Sequence, residues 1–211
     1  MAREEGFYTM VKKNSEKTIL SLCSGTGAWE KPYIKAGYNV ISVTLPEQDV
    51  RAYNPPENVH GILAAPPCTM FSLARTRAKK ERDFTEGMEI VKACLNIIWK
   101  CREKPKYRKD GCLSFWALEN PMGFLRQFLG YPYFTFNPCD FGEGYTKKTD
   151  LWGYFNIPKR FPVELSDDEK QRCKTNNRKL PSISDITGSN QAARRAITPA
   201  GFARAFFKVN P

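Results

Sequence analysis

The sequence predicts a doubly wound α/β domain, a mostly parallel sheet with helices on both faces, and three observations carry that prediction. Short apolar runs of strand character alternate with longer stretches of helical period. The first run is followed at once by Ser24-Gly25-Thr26-Gly27, a spacing that lets a backbone turn tightly and approach a ligand. Two later runs end at proline beside reactive side chains, in Pro66-Pro67-Cys68 and Glu119-Asn120-Pro121. In open α/β sheets ligands bind at the carboxyl edge of the strands.

Taken in order, Met1 to Lys17 is charged and polar and reads as an N-terminal arm. Thr18 to Cys23 reads as the first strand, Trp29 to Ala36 as a helix ended by Gly37, and Asn39 to Val43 as a β-branched second strand. Val59 to Ala65 is the strand that Pro66 and Pro67 must stop, because Pro66 has no N–H for a ladder. The basic stretch behind it, with Arg75, Arg77, Lys79, Lys80 and Arg82, reads as a loop able to lie along phosphates. Thr85 to Arg102 places Met88, Val91, Leu95 and Ile98 on one helix face, with Cys94 in the core. Leu113 to Leu118, Phe134 to Cys139 and Leu151 to Phe155 are the remaining strand candidates. Residues 18–153 thus form the expected catalytic core, 154–190 a small irregular insert, and 191–211 a closing helix with Pro199 at its start and Phe202, Phe206 and Phe207 inward.

Composition narrows the functions. A net charge of +11 suits a polyanionic partner. The seven cysteines are scattered without a C-x-x-C pair, so neither a disulfide framework nor a zinc site is expected. His60 is the only histidine, which nearly excludes a His-based triad or a multi-His metal site. No signal-peptide pattern opens the chain, and no apolar run approaches the roughly 20 residues of a membrane helix. The expected setting is a reducing cytoplasm.

Cys68 has no histidine beside it and so cannot work as a protease-type nucleophile. A thiolate paired with a carboxylic acid suits conjugate addition to an electron-poor ring instead, such as a pyrimidine attacked at C6 while Glu119 protonates N3. The C5 carbon then takes an electrophilic methyl group, which a ligand in the glycine turn could supply.

With those residues in place, the chain resembles the cytosine-5 DNA methyltransferases, in motif order and over most of its length, as a compact, phage-type member. Leu22-Cys23-Ser24-Gly25-Thr26-Gly27 is similar to the family's cofactor loop, Pro66-Pro67-Cys68 with Phe71-Ser72 to its nucleophile motif, and Glu119-Asn120-Pro121 to its Glu-Asn-Pro signature. The resemblance implies S-adenosylmethionine as donor, a flipped base, and a transient adduct on Cys68. By the same resemblance Glu119 protonates N3, Asn120 and Pro121 shape the pocket, Lys147 supports the base, and Asp49-Val50 lies on the adenine side with Pro66 nearby. Ser72, Arg75, Arg77, Lys79 and Lys148 are the implied DNA contacts. Two features depart from the family pattern. Thr44 stands where an acid normally meets the ribose, and Lys147 and Lys148 stand where arginines are usual. The recognition region is reduced to the stretch from Tyr154 to Asn190, which leaves a role for a partner protein. Double-stranded DNA is the leading substrate. RNA, single-stranded DNA, a different transferred group, or a non-catalytic nucleic-acid-binding relative remain the alternatives.

Overall fold

A computed structural model describes residues 13–75, 78, 80–103, 113–164, 180, 182–183 and 195–211. Six strands make one sheet: β1 (Thr18–Leu22), β2 (Asn39–Val43), β3 (Val59–Ala64), β4 (Phe115–Pro121), β5 (Phe134–Phe136) and β6 (Thr149–Tyr154). Their order is β2-β1-β3-β4-β6-β5. β1 pairs parallel with β2 and β3, and β3 parallel with β4, whereas β6 runs antiparallel to both β4 and β5. Five strands therefore point one way and β6 alone points back. The chain winds outward from β1 to β2, then returns across β1 to β3. The switch point of the doubly wound sheet thus lies between β1 and β3.

Side-chain alternation divides the core between the two faces. On one face Ile19, Leu63, Phe115 and Ala117 pack against Tyr33 of α1 (Lys31–Lys35) and against Phe202 and Phe206 of α4 (Ala200–Val209). On the other, Leu20, Ile62, Ala64 and Leu118 pack against Val91, Cys94, Ile97 and Ile98 of α2 (Phe84–Arg102) and Leu125 of α3 (Leu125–Leu129). Asp83 caps α2 by accepting the Glu86 N–H at 2.9 Å, which satisfies one otherwise unpaired amide of its first turn. Phe202 stacks on Phe136 at a centroid distance of 4.0 Å, so α4 closes the β5 side of the sheet. Among the described residues no helix is long and apolar enough to cross a membrane.

Several expected bounds move. β1 ends at Leu22, because Cys23 turns out of the strand at φ 55°. α1 is confined to Lys31–Lys35, with Pro32 in its first turn. β3 ends at Ala64 and α2 begins at Phe84, each one residue from its expected bound. β4 starts at Phe115 and runs on through Pro121, so Glu119 and Asn120 belong to the strand rather than to a loop after it. Pro121 is tolerated because it is the last residue of the ladder, opposite Thr149, where a missing N–H costs little. β5 stops at Phe136, since Asn137 caps a 3-10 turn over Pro138–Phe141 in which Asp140 returns a bond to the Asn137 N–H. β6 begins at Thr149, two residues earlier than expected. The closing helix is Ala200–Val209, beginning after Pro199 rather than at Gln191, and residues 191–194 lie outside the described residues, as do 1–12 of the arm and most of the expected insert.

Gly201 at the start of α4 lies so close to the Phe141 carbonyl that a side chain there would strike backbone. Gly201→Ala is expected to cost about 1–3 kcal/mol of stability through overpacking, read from the midpoint of urea unfolding.

Candidate active site

The loop after β3 is laced to its neighbours. The Ala65 N–H extends the ladder to Leu22 O at 2.9 Å, and Asn120 Nδ2 donates to Pro66 O at 2.9 Å. Asn120 is wholly buried, so this bond fixes the double proline against the end of β4, while its Oδ1 is buried with no hydrogen-bond partner among the described residues. The Cys68 carbonyl accepts the N–H groups of Phe71 and Ser72 at 3.0 and 2.8 Å, which folds the chain into a turn directly after the thiol. Arg82 lies over the Phe124 ring and donates to the carbonyls of Met70 and Ser72 at 2.8 and 2.9 Å. Phe124 N–H donates to Phe71 O at 2.9 Å, and Gly123 approaches that same carbonyl too closely for any side chain. The segments after β3 and β4 are therefore one unit.

Glu119 and Asn120 are adjacent in β4 and so project to opposite faces. Asn120 goes to the loop, and Glu119 meets Lys147, whose Nζ stands 3.8 Å from Glu119 Oε1. Both side chains are mostly withdrawn from water, 9% exposed for Lys147 and 12% for Glu119. The reversed direction of β6 explains the meeting. Because β6 starts at the carboxyl edge of the parallel strands, the residues just before it arrive beside the end of β4.

Burial pushes the Glu119 carboxyl up from its usual range, and Lys147 works against that by favouring the carboxylate. Burial also pushes the Cys68 thiol up, the Glu119 charge adds to the effect, and Lys147 again opposes it. Cys68, Glu119 and Lys147 thus form one electrostatic cluster, in which a thiol and an acid each hold their protons more firmly than in water.

The second group lies at the ends of β1 and β2. Cys23 keeps its N–H bonded to Val43 O at 2.8 Å while its backbone takes a left-handed turn, and its Sγ is 4.0 Å from Cys94 Sγ. That hydrogen bond draws the Cys23 thiol below its ordinary range. Gly25 and Gly27 both have positive φ, at 54° and 67°, and the place of a Gly25 Cβ is open space. Ser24 O accepts the Gly27 N–H at 2.9 Å, which closes the turn around Thr26. The Glu30 carboxylate occupies the side of Gly27 where a Cβ would be, accepts from Ser42 Oγ at 2.7 Å, and is 6% exposed. Thr44 follows β2, and its carbonyl accepts the Gln48 N–H at 2.9 Å. Asp49 is held by the fork of Arg51, with bonds of 2.6–3.0 Å that pull its carboxyl down to about 2, while Val50 is buried in the core.

The remaining candidates are more scattered. Ser72 Oγ accepts the Ala74 N–H at 3.2 Å, and the Arg75 guanidinium donates to Lys80 O and Glu81 O at 2.7 and 3.2 Å, bridging its own loop. Lys148 is exposed, with its carbonyl bonded to the Met122 N–H at 2.8 Å. Arg77 and Lys79 lie outside the described residues. Sequence reasoning missed Gly123, Arg126, Thr135 and Asp150. Asp150 is fully buried, takes both arms of Arg126 at 2.7 and 2.6 Å, and accepts from Thr135 Oγ1 at 2.8 Å. An acid directly before Leu151-Trp152 in an otherwise buried strand is the one signal that could have marked it.

No family model matches this sequence, and no curated protein matches it. Among solved structures it is similar to the Entamoeba histolytica methyltransferase EhMeth, with 9% identity, a TM-score of 0.40, and coverage of 72% of this chain and 58% of that one. It is similar to a Spodoptera frugiperda DNMT2 mutant, with 16% identity, a TM-score of 0.39, and coverage of 82% and 60%. It is also similar to DhpI in a complex with SAM and HEP, with 12% identity, a TM-score of 0.25, and coverage of 78% and 71%. The chain thus spans less than two thirds of the length of the first two. The likenesses are distant, and strand order and direction establish the fold by themselves.

The cluster makes Cys68 reactivity depend on pH in a defined direction. Glu119→Gln removes a negative charge that disfavours the thiolate, so iodoacetamide should modify the Cys68 peptide at lower pH than in the wild type. Gly123→Ala should push the two loops apart and leave Cys68 alkylation no longer responsive to Glu119→Gln.

Proposed function

We propose that this chain is an S-adenosylmethionine-dependent methyltransferase acting at C5 of cytosine in DNA, through a covalent Cys68 adduct at C6 of a flipped base. The observation that carries the reading is the meeting of Cys68, Glu119 and Lys147 at the carboxyl edge, one strand away from the open glycine turn at the β1–β3 switch point. Non-catalytic binding to nucleic acid requires no buried acid beside a buried thiol.

The turn fits the donor's amino-acid and nucleoside parts, because Gly25 leaves open space where other residues carry a side chain. Ser24 to Gly27 would hold the donor from below, with Cys23 and Pro66 beside it and Thr44, Asp49 and Val50 toward its nucleoside end. Thr44 offers a single hydroxyl there, and the Asp49 oxygens already accept from Arg51, so donor affinity should be modest. When bound, the donor supplies a methyl electrophile. The chain's own residues do the rest. Asn120 holds the Pro66-Pro67-Cys68 loop in place, and the raised Cys68 thiol must lose its proton as it bonds to C6. We assign that proton first to the Glu119 carboxylate and then, from Glu119, to N3 of the base. Lys147 steadies Glu119 while it carries the charge. After methyl transfer the C5 proton leaves to solvent, N3 returns its proton, and Cys68 is expelled with the electron pair of its C6 bond.

The exposed Lys148, together with Ser72, Arg75, Arg77 and Lys79, would lie along the nucleic-acid backbone. Replacing Arg75, Arg77 and Lys79 should flatten the slope of log affinity against log salt by about 0.9 for each phosphate that these side chains neutralise. An unchanged slope removes that loop from the interface. The activity itself is tested by transfer of labelled methyl from S-adenosylmethionine to unmethylated duplex DNA. Labelled 5-methylcytosine is expected from the wild type and none from Cys68→Ala. Transfer to RNA or single strands alone would move the substrate class, and retained transfer by Cys68→Ala would overturn the mechanism.

A further inference from the structure

We propose that Asp150 is a positioning residue, which Arg126 locks in place so that Lys147 is delivered onto Glu119. The proposal rests on the catalytic reading above, since it takes Glu119 and Lys147 as working parts of one site. Its test uses neither methyl donor nor nucleic acid.

Among the described residues Lys147 belongs to no strand. The β4–β6 pairing stops at Pro121 opposite Thr149, and Lys147 lies two residues beyond it. Its side chain is a flexible four-carbon stem, so the point from which that stem starts decides where its ammonium can rest. Three bonds hold the backbone there: Thr149 Oγ1 donates to Lys147 O at 2.8 Å, Met122 N–H donates to Lys148 O at 2.8 Å, and Ile183 N–H donates to Thr146 O at 2.8 Å. The first two lie on the β6 side of Lys147 and depend on where β6 begins, and Asp150 is the residue that pins its start.

Asp150 is 0% exposed and carries three charge-assisted bonds, Arg126 Nε to Oδ2 at 2.7 Å, an Arg126 terminal nitrogen to Oδ1 at 2.6 Å, and Thr135 Oγ1 to Oδ1 at 2.8 Å. These tie β6 to α3 and to β5. A two-pronged guanidinium–carboxylate pair has one good geometry, which gives the strand end one position. Asp150 also stands directly opposite Asn120 in the ladder, so the same clamp sets the level at which Asn120 reaches Pro66.

The experiment measures alkylation of the Cys68 peptide by iodoacetamide across pH, with thermal unfolding of each variant alongside. Lys147→Met removes a charge that favours the thiolate and should raise the Cys68 midpoint by about one pH unit. Asp150→Asn should raise it in the same direction, and the double variant no further than Lys147→Met alone, because Asp150 acts through Lys147. Arg126→Lys keeps the charge but loses the fork, and should give a smaller rise; it decides the matter should Asp150→Asn fail to fold. A lowered unfolding temperature with a wild-type Cys68 profile would make the clamp merely structural and overturn the proposal. So would a shift from Asp150→Asn that adds in full to that of Lys147→Met. A wild-type profile in Lys147→Met would instead overturn the catalytic cluster itself.

Discussion

The antiparallel pairing of β6 with β4 is the constraint on which the rest of the site depends. A fully parallel sheet would bring the chain before its last strand to the amino edge, far from Cys68. Turning β6 around brings Lys147 to the carboxyl edge, beside a carboxylate on the very strand it pairs with. The pairing also lets a proline close β4, because the ladder ends there. Asn120, one residue before, keeps its place in the ladder opposite Asp150 while its side-chain amide bonds the Pro66 carbonyl.

From that pairing the site is assembled by tying loops together. The segment after β3 carries the thiol and is braced by its own Arg82, and the segment after β4 supplies the contact that shapes it, through Gly123 and Phe124. None of these residues performs chemistry. They hold two strand ends close enough that a thiol, an acid and an ammonium feel one another, in surroundings dry enough to raise the proton affinity of both Cys68 and Glu119. Burial is unfavourable for each group alone and useful for the three together.

Much of this was legible in the sequence where local signals are strong. β2 is found residue for residue from its β-branched run, and α2 from its 3.6-residue period. The glycine turn and Pro66-Pro67-Cys68 are punctuation that a chain can hardly hide. Pro121 misled, because it predicts a strand ending at Leu118, ahead of the proline, and here the strand runs on to include Pro121 as its last residue. The Asp150–Arg126 pair was illegible because the two residues come from elements joined only by the fold, and α3 is a five-residue helix too short to show a period. The engagement of Arg75 with its own loop carbonyls was hidden for the same reason, since a basic run reads alike whether it faces phosphate or backbone.

The central claim is that Cys68 bonds to C6 of a cytosine. It is tested most directly with a duplex in which cytosine carries fluorine at C5, incubated with the protein and S-adenosylmethionine. Fluorine cannot leave as the C5 proton does, so the adduct should persist, and digestion should return a nucleotide attached to the peptide containing Cys68. Stable attachment at another cysteine, or turnover that leaves no adduct on Cys68, would contradict the account.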